Sequence, residues 1–257
     1  MKISVVIPCF NEKDTILKII EKVRNEKQYE KEIIVIDDFS TDNSQKILQN
    51  YDKKDKIKII FNPQNKGKGY SIRQGLKLAN GDIILIQDAD LEYSPDDYKK
   101  LIEPILNNDA DVVYGSRTMN DMIWDGANMG WFLRFGNWSV AKLLQILFNT
   151  CSLTDVGCTY RLVKRSSMLK ILKKSKVVSN FFGPEMMLIS ILSNLKIIQI
   201  PINYRERVGI SSVTGSFKKA FMLGIQMILL ILKFRIMTVI NNNYLLNRKG
   251  IYFDKIK

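Results

Sequence analysis

Five short β-branched runs alternate with helix-like patterns through the first half of this 257-residue chain. They are Ile3–Ile7, Ile33–Ile36, Ile57–Phe61, Ile83–Ile86 and Val112–Tyr114. Apolar runs of this length, rich in Ile and Val, read as buried strands. Between them, Ile16, Ile19, Ile20 and Val23 recur on one helix face. Ser94-Pro95-Asp96-Asp97 supplies an N-cap, a proline at the first helical position and a capping acid ahead of Tyr98, Leu101, Ile102 and Ile105. Such alternation predicts an α/β fold, a mostly parallel sheet with helices on both faces. Ligands of these sheets bind beyond the carboxyl ends of the strands.

Polar residues collect at those ends. The clusters are Pro8-Cys9-Phe10-Asn11-Glu12, Asp37-Asp38-Phe39-Ser40-Thr41-Asp42, Asn65-Lys66-Gly67-Lys68-Gly69, Asp88-Ala89-Asp90 and Gly115-Ser116-Arg117. Singly they have ordinary explanations: Asp38 to Ser44 reads as a helix cap, Asn65 to Gly69 as a turn. Jointly, the topology places them on one rim. The sharpest is Asp88-Ala89-Asp90-Leu91-Glu92. Residues two apart in an extended segment share a side, so Asp88, Asp90 and Glu92 are expected to converge. Converging carboxylates repel unless a cation lies between them. Mg²⁺ or Mn²⁺ takes such oxygen ligands, usually together with substrate phosphates.

Composition narrows the chemistry. The chain has no histidine, which removes Ser-His-Asp and Cys-His catalysis and imidazole acid/base work. Cys9, Cys151 and Cys158 are odd in number and form no Cys-x-x-Cys pair, so neither a disulfide framework nor a zinc site is expected. Residues 1–116 hold 18 Lys+Arg against 20 Asp+Glu, and residues 117–257 hold 21 against 6. The basic half should attract an anionic membrane surface, a phosphorylated substrate or nucleic acid. A purely nucleic-acid-binding role leaves the acidic rim without purpose, so nucleic acid is not an expected partner. Lys2 leads directly into a strand-like run with no signal-peptide signature, consistent with a cytoplasmic site of action.

The second half is less regular. Residues 117–137, rich in Gly, Asn, Met and Trp, suggest a mobile loop near the site. Trp138–Phe148 reads as a helix, Pro184–Leu195 as another, and Ile197–Ile202 as a strand. Arg205–Ser216 reads as a polar loop and Lys218–Phe234 as an amphipathic helix. The apolar stretch Ala220–Leu232 spans only ~20 Å as a helix, against the ~30 Å of a hydrocarbon core, so a helix lying in the membrane interface fits better than a single crossing, which stays open as the alternative. From Asn241 the chain is polar and basic.

Taken in order and spacing, the rim motifs resemble family 2 of the inverting glycosyltransferases, with the GT-A fold. The resemblance covers roughly residues 2–236. It is strongest to the polyprenol-phosphate sugar synthases, among them the dolichol-phosphate mannosyltransferases and undecaprenyl-phosphate glucosyltransferases. It implies a catalytic domain over 1–216, with a nucleotide-binding half (1–116) and an acceptor half (117–216), then an interfacial helix (217–240) and a basic tail (241–257). It implies nucleotide contacts from Pro8, Asn11, Glu12, Asp38, Lys68, Asp88 and Ala89, with Asp38 accepting from a base N–H. Asp88, Asp90 and Glu92 would address Mg²⁺ or Mn²⁺. Arg117, Arg134 and Arg207 would meet an acceptor phosphate. Asp90, Arg117, Arg134 and Asp155 would form the catalytic set, Asp155 either ordering the arginines or acting as a base. Many hydroxyl-acceptor members carry a Glu-Asp pair before a late helix. Here Gly183-Pro184-Glu185-Met186 lacks the second acid.

The expected function is therefore inverting transfer of a sugar from a UDP- or GDP-linked donor to a polyprenyl phosphate, by an enzyme held peripherally on the cytoplasmic membrane face. Alternatives are a sugar hydroxyl acceptor in polysaccharide or glycolipid synthesis, and a non-catalytic nucleotide-sugar or polyanion-binding module. The intact acidic triad argues against the last. A lipid-linked product would call for a separate flippase or a downstream membrane glycosyltransferase.

Overall fold

The computed structural model describes residues 1–51, 57–119, 130–150, 153–176, 181–205, 207–208 and 217–240. Seven strands form one sheet: β1 (Lys2–Cys9), β2 (Glu30–Asp37), β3 (Ile57–Phe61), β4 (Ile83–Ile86), β5 (Val112–Ser116), β6 (Arg161–Lys164) and β7 (Ile197–Pro201). Their order is β3-β2-β1-β4-β6-β5-β7. All five strands expected from the first half are present, and their mutual pairings are parallel. The four-residue β6 is inserted between β4 and β5 and runs antiparallel to both. Its sequence, Arg161-Leu-Val-Lys164, is too short to show a period, so it gave no signal.

Alternate strand residues feed two cores, one on each face. On one face Ile3, Val5 and Ile7 pack with α1 (Ile16–Asn25), α2 (Ser44–Asn50) and α4 (Tyr98–Leu106). On the other, Val6, Ile34 and Ile36 pack under α3 (Lys68–Leu78). The same core holds α5 (Trp131–Phe148), α6 (Arg165–Lys174), α7 (Phe182–Leu192) and α8 (Phe217–Ile240). Gly75 lets α3 lie against the strands: a Cβ there would meet Ile36 and Val6 at 2.6 Å.

Three expectations need correction. Residues 131–137 are not loop but the first two turns of α5, because Trp131, Phe132, Leu133 and Phe135 continue the apolar pattern of Trp138–Phe148. The expected loop residues 120–129 lie outside the described residues. Next, α8 runs for 24 residues, about 36 Å at 1.5 Å per residue, since Lys233 and Arg235 interrupt its apolarity and not its helix. By length and composition it could cross a membrane. Finally, the acidic segment after β4 is a turn and not an extended stretch. Leu91 has φ 66°, which breaks the every-second-residue alternation. The basic tail from 241 and most of the Arg205–Ser216 loop lie outside the described residues.

Candidate active site

A cleft of about 310 Å³ opens at the carboxyl ends of β1, β2 and β4, as the topology requires. Pro8, Cys9, Phe10, Glu12, Asp38, Asn65, Gly67, Lys68, Ser71, Asp88, Ala89, Asp90 and Arg207 line it. Three rim loops each hold a non-glycine residue at positive φ: Asn11 (56°), Phe39 (65°) and Leu91 (66°). Such conformations persist only where surrounding structure enforces them, and they gather at functional sites. Here the enforcement is visible. Asn11 Oδ1 accepts from Thr41 N at 2.7 Å, Asn11 N donates to Ser40 Oγ at 2.9 Å, and Glu12 N donates to Ser44 Oγ at 2.9 Å. The β1 and β2 loops are thereby stitched together. Asn11 serves this stitch and is not among the cleft-lining residues.

Asp38, buried at the cleft wall, receives Asn62 Nδ2 at 2.7 Å, Lys66 N at 3.1 Å and Gly67 N at 2.7 Å. A carboxylate has about four acceptor sites, so most of this one fastens the Asn65–Gly67 loop over the cleft. Asn62 also reaches Ser71 Oγ at 3.0 Å. Neither Asn62 nor Ser71 belongs to a sequence motif that pointed to it.

The acidic turn is a charged, buried place. Asp88 pairs with Lys68 at 2.6 Å and accepts the Thr159 hydroxyl from the loop before β6. Burial alone would raise the Asp88 pKa, but Lys68 and Thr159 outweigh it and hold it down. Asp90 is pushed up by burial and by Asp88. Burial and the two aspartates push Glu92 up to about 7. Arg207 enters from the segment after β7 and bridges Asp90 to Glu12. Glu12 is itself raised to about 7, mainly by burial. Its delivery is built: Tyr204 bridges to Tyr93, and Arg205 N donates to Glu92 O at 3.0 Å. The arginine expected at an acceptor phosphate thus lines the same cleft as Asp38, Lys68 and Asp90.

Among the described residues, no three acidic or cysteine side chains form a ready metal cluster. The donor set nevertheless suits a hard cation. Asp88 raises the pKa of Asp90, both aspartates raise that of Glu92, and Asp88 and Asp90 hold Lys68 and Arg207 as counter-charges. Asp88 Oδ1 is buried without a hydrogen-bond donor beyond that ion pair.

Arg117 and Asp155 lie beside this cleft and are not among its lining residues. Asp155 accepts Arg117 Nε at 2.8 Å, Arg117 Nη2 at 3.0 Å and Arg117 N at 3.0 Å. Gly157 N and Cys158 N add two more bonds at 3.0 Å each. Burial opposes both charges, but the pair outweighs it: Asp155 is lowered and Arg117 raised. Asp155 is thus saturated and orders the arginine. Arg134 is exposed on α5. Glu185, in the segment compared with the Glu-Asp pair, is buried and accepts from Ser175 Oγ and, at 3.1 Å, from Lys176 N. Arg73 caps the same corner through Ser175 at 2.7 and 2.6 Å and is not among the cleft-lining residues. Cys9 lines the cleft, but burial and Asp37 push its thiol well up, which disfavours the thiolate form.

The sequence model of Glycosyl transferase family 2 matches residues 4–172, more than half of the chain. Dolichol-phosphate mannosyltransferase of Pyrococcus furiosus is 36% identical over 118 residues, 46% of this chain and 33% of that protein. Dolichyl-phosphate beta-glucosyltransferase of Trichomonas vaginalis is 27% identical over 233 residues, 85% of this chain and 70% of the relative. The match thus spans about a third of the first relative's length and 70% of the second's. Glucosyl-3-phosphoglycerate synthase from Mycobacterium tuberculosis, solved with Mn²⁺, uridine diphosphate and glucosyl-3-phosphoglycerate, shares the fold. Its TM-score is 0.69 at 18% identity, covering 91% of this chain and 79% of that one.

Proposed function

The chain belongs to glycosyl transferase family 2, and from that premise we propose that it moves a sugar, with inversion, from a UDP- or GDP-linked donor to a polyprenyl phosphate. One observation carries the choice of acceptor. The acid beside the acceptor arginine, Asp155, has its capacity taken by five hydrogen bonds, and Glu185 is tied to Ser175 and Lys176. A hydroxyl acceptor needs a base to take its proton. A phosphate is already an anion and needs arginine forks instead. Relatives named for dolichyl phosphate support the same reading.

In this reading the nucleotide lies along Pro8, Asp38 and the Asn65–Gly67 loop, with its diphosphate toward Lys68. Asp88, Asp90 and Glu92 would hold Mg²⁺ or Mn²⁺, which when bound stabilises negative charge on the departing nucleoside diphosphate. Arg207 leaves its Glu12–Asp90 bridge as the donor arrives and covers the cleft. Arg117, held in one orientation by Asp155, and Arg134 receive the acceptor phosphate. The leaving diphosphate needs no proton, so the absence of histidine costs nothing.

The acceptor's lipid tail calls for a membrane. Along α8, Leu223, Met227, Leu230, Ile231 and Phe234 pack on the body, while Phe221, Ile225, Leu229, Leu232 and Ile236 are exposed or nearly so. Trp131, Phe135 and Trp138 of α5 are exposed as well, and Phe132 meets Phe217 at 4.4 Å between ring centres. A helix packed along the body on one side lies on a bilayer rather than crossing it. We place the enzyme peripherally on the cytoplasmic face.

A second reading has support from Glu92. A half-buried carboxyl pushed up to about 7 is suited to general-base work on a hydroxyl acceptor. A panel of radiolabelled UDP- and GDP-sugars with undecaprenyl phosphate, assayed for organic-phase product, separates the two. Product with the lipid phosphate, retained at reduced rate by Glu92→Gln, supports the phosphate acceptor. Product only with sugar hydroxyls, abolished by Glu92→Gln, overturns it.

A further inference from the structure

The loop that carries Asp155 is fastened to α5 at two points: Gln145 Nε2 donates to Leu153 O at 2.7 Å, and Asn137 grips the turn around Asp155 itself. Asn137 Oδ1 accepts the N–H groups of Val156 at 3.1 Å and Gly157 at 3.2 Å. Its Nδ2 donates to the Thr154 carbonyl at 3.1 Å. One amide therefore reads both the donors and the acceptor of the 154–157 backbone, and only this amide orientation satisfies all three. The packing is close. A Cβ on Gly157 would come within 3.0 Å of Arg117 Nη2 and 3.6 Å of Asn137 Oδ1. The two N–H groups bound by Asn137 flank the turn whose Gly157 N–H also binds Asp155, and Asp155 in turn holds the Arg117 fork.

Asn137 also lies one helical turn after Arg134, and residues three apart share a face of a helix. Pinning Asn137 to the loop fixes both the height and the rotation of α5 at Arg134. The two arginines come from successive elements, one just after β5 and one on α5. The Asn137 amide is the hydrogen-bonded link nearest to both, Gln145 holding the loop further along α5.

We propose that Asn137 is a positioning residue for the acceptor phosphate, setting the spacing and orientation of Arg117 relative to Arg134. This rests on the phosphate-acceptor reading above. A plain helix anchor would behave differently. No residue of α5 lines the nucleotide cleft. Loss of the link should therefore show in the acceptor alone, whereas loose folding would weaken donor and acceptor together.

The test uses the full chain, undecaprenyl phosphate in vesicles and whichever nucleotide-sugar the wild type turns over. Asn137→Ala is expected to raise the acceptor KM roughly tenfold, since several hydrogen bonds are lost, while donor Kd by calorimetry stays within about twofold. In an Arg117→Lys background the same change should add less than about threefold, because residues acting through one another are not additive. Asn137→Gln, which keeps the amide on a longer arm, should show the same acceptor-only defect and guards against a misfolded alanine variant. An unchanged acceptor KM overturns the proposal. So does a parallel loss of donor affinity and thermal midpoint, or full additivity with Arg117→Lys. A wild type that ignores undecaprenyl phosphate but glycosylates hydroxyls overturns the underlying reading instead, and is recognised before any variant is made.

Discussion

Arg117 and Asp155 meet as a side-by-side pair, Nε to Oδ2 at 2.8 Å and Nη2 to Oδ1 at 3.0 Å, with the carboxylate fully buried. Breaking a buried pair from one side leaves the other charge without a partner. Asp155→Asn should therefore cost roughly 3 kcal/mol in chemical denaturation and loosen the arginine. Arg117→Lys keeps the charge and loses the fork, so it should be gentler on stability yet still reduce lipid-phosphate turnover. Donor affinity should stay near that of the wild type in both. A variant pair that loses donor affinity and keeps the acceptor would reverse the assignment.

Arg207 offers a separate test. Its guanidinium neutralises Asp90 and Glu12 in the cleft. Arg207→Ala removes a competing cation, so Mn²⁺ binding without nucleotide, followed by the ion's paramagnetic resonance, should tighten. Turnover should fall, because the same arginine covers the loaded cleft. Weaker Mn²⁺ binding in the variant would mean that Arg207 supports the metal site and does not compete with it.

Much of this site was legible because chemistry and topology agree. Each rim motif follows a β-branched run, and runs of that kind become parallel strands whose carboxyl ends face one side. Lys68, Asp88 and Asp90 were placed by that logic alone. Thr159 was not, since its loop reaches Asp88 only through β6, a strand too short for a pattern. Asn137 was hidden inside a stretch whose Gly and Asn content suggests loop, although its apolar residues continue a helix. Arg207 was singled out in the sequence, but its ion pairs with Asp90 and Glu12 were not, because sequence gives no view of how the chain folds back along Glu92 and Tyr93.

Near the amino end of β2, at the other end of the strands from the cleft, Glu32 gives a clean pH signature. Burial would raise its pKa, but Ser4 Oγ at 2.7 Å, Asn80 N at 2.6 Å and Lys58 Nζ at 3.0 Å outweigh it and hold it at about 2, against an ordinary 4.5. A depressed carboxyl stabilises the fold fully above its unfolded pKa and loses that contribution as pH falls through the folded value. Glu32→Gln should thus destabilise by about 2–3 kcal/mol at neutral pH. The gap to wild type should shrink from about pH 4.5 downward and close near pH 2. A gap that is constant between pH 7 and pH 2.5 would show that packing, not charge, makes the difference.

The last prediction concerns α8. Deleting the helix is a poor test, because Met227 and Ile231 are buried and their loss would open the core around Leu144 and Phe148. The exposed face can be changed without touching that stripe. Leu229 is 59% exposed and Ile236 57%, so replacing both with serine should leave the thermal midpoint nearly unchanged, as surface substitutions usually do. On anionic vesicles the same change removes two side chains, each worth about 1.5–3 kcal/mol when buried in an apolar phase. Lys218, Lys219, Lys233 and Arg235 remain, and each contributes about 1 kcal/mol near an anionic surface, within a Debye length. Sedimentation with vesicles should therefore show binding weakened at least tenfold, with the residual binding abolished by salt. Trp131 and Trp138, exposed on the neighbouring α5, report the same event through their fluorescence. If the double variant binds vesicles as the wild type does, α8 does not seat the enzyme on the membrane, and another surface must bring it to its lipid.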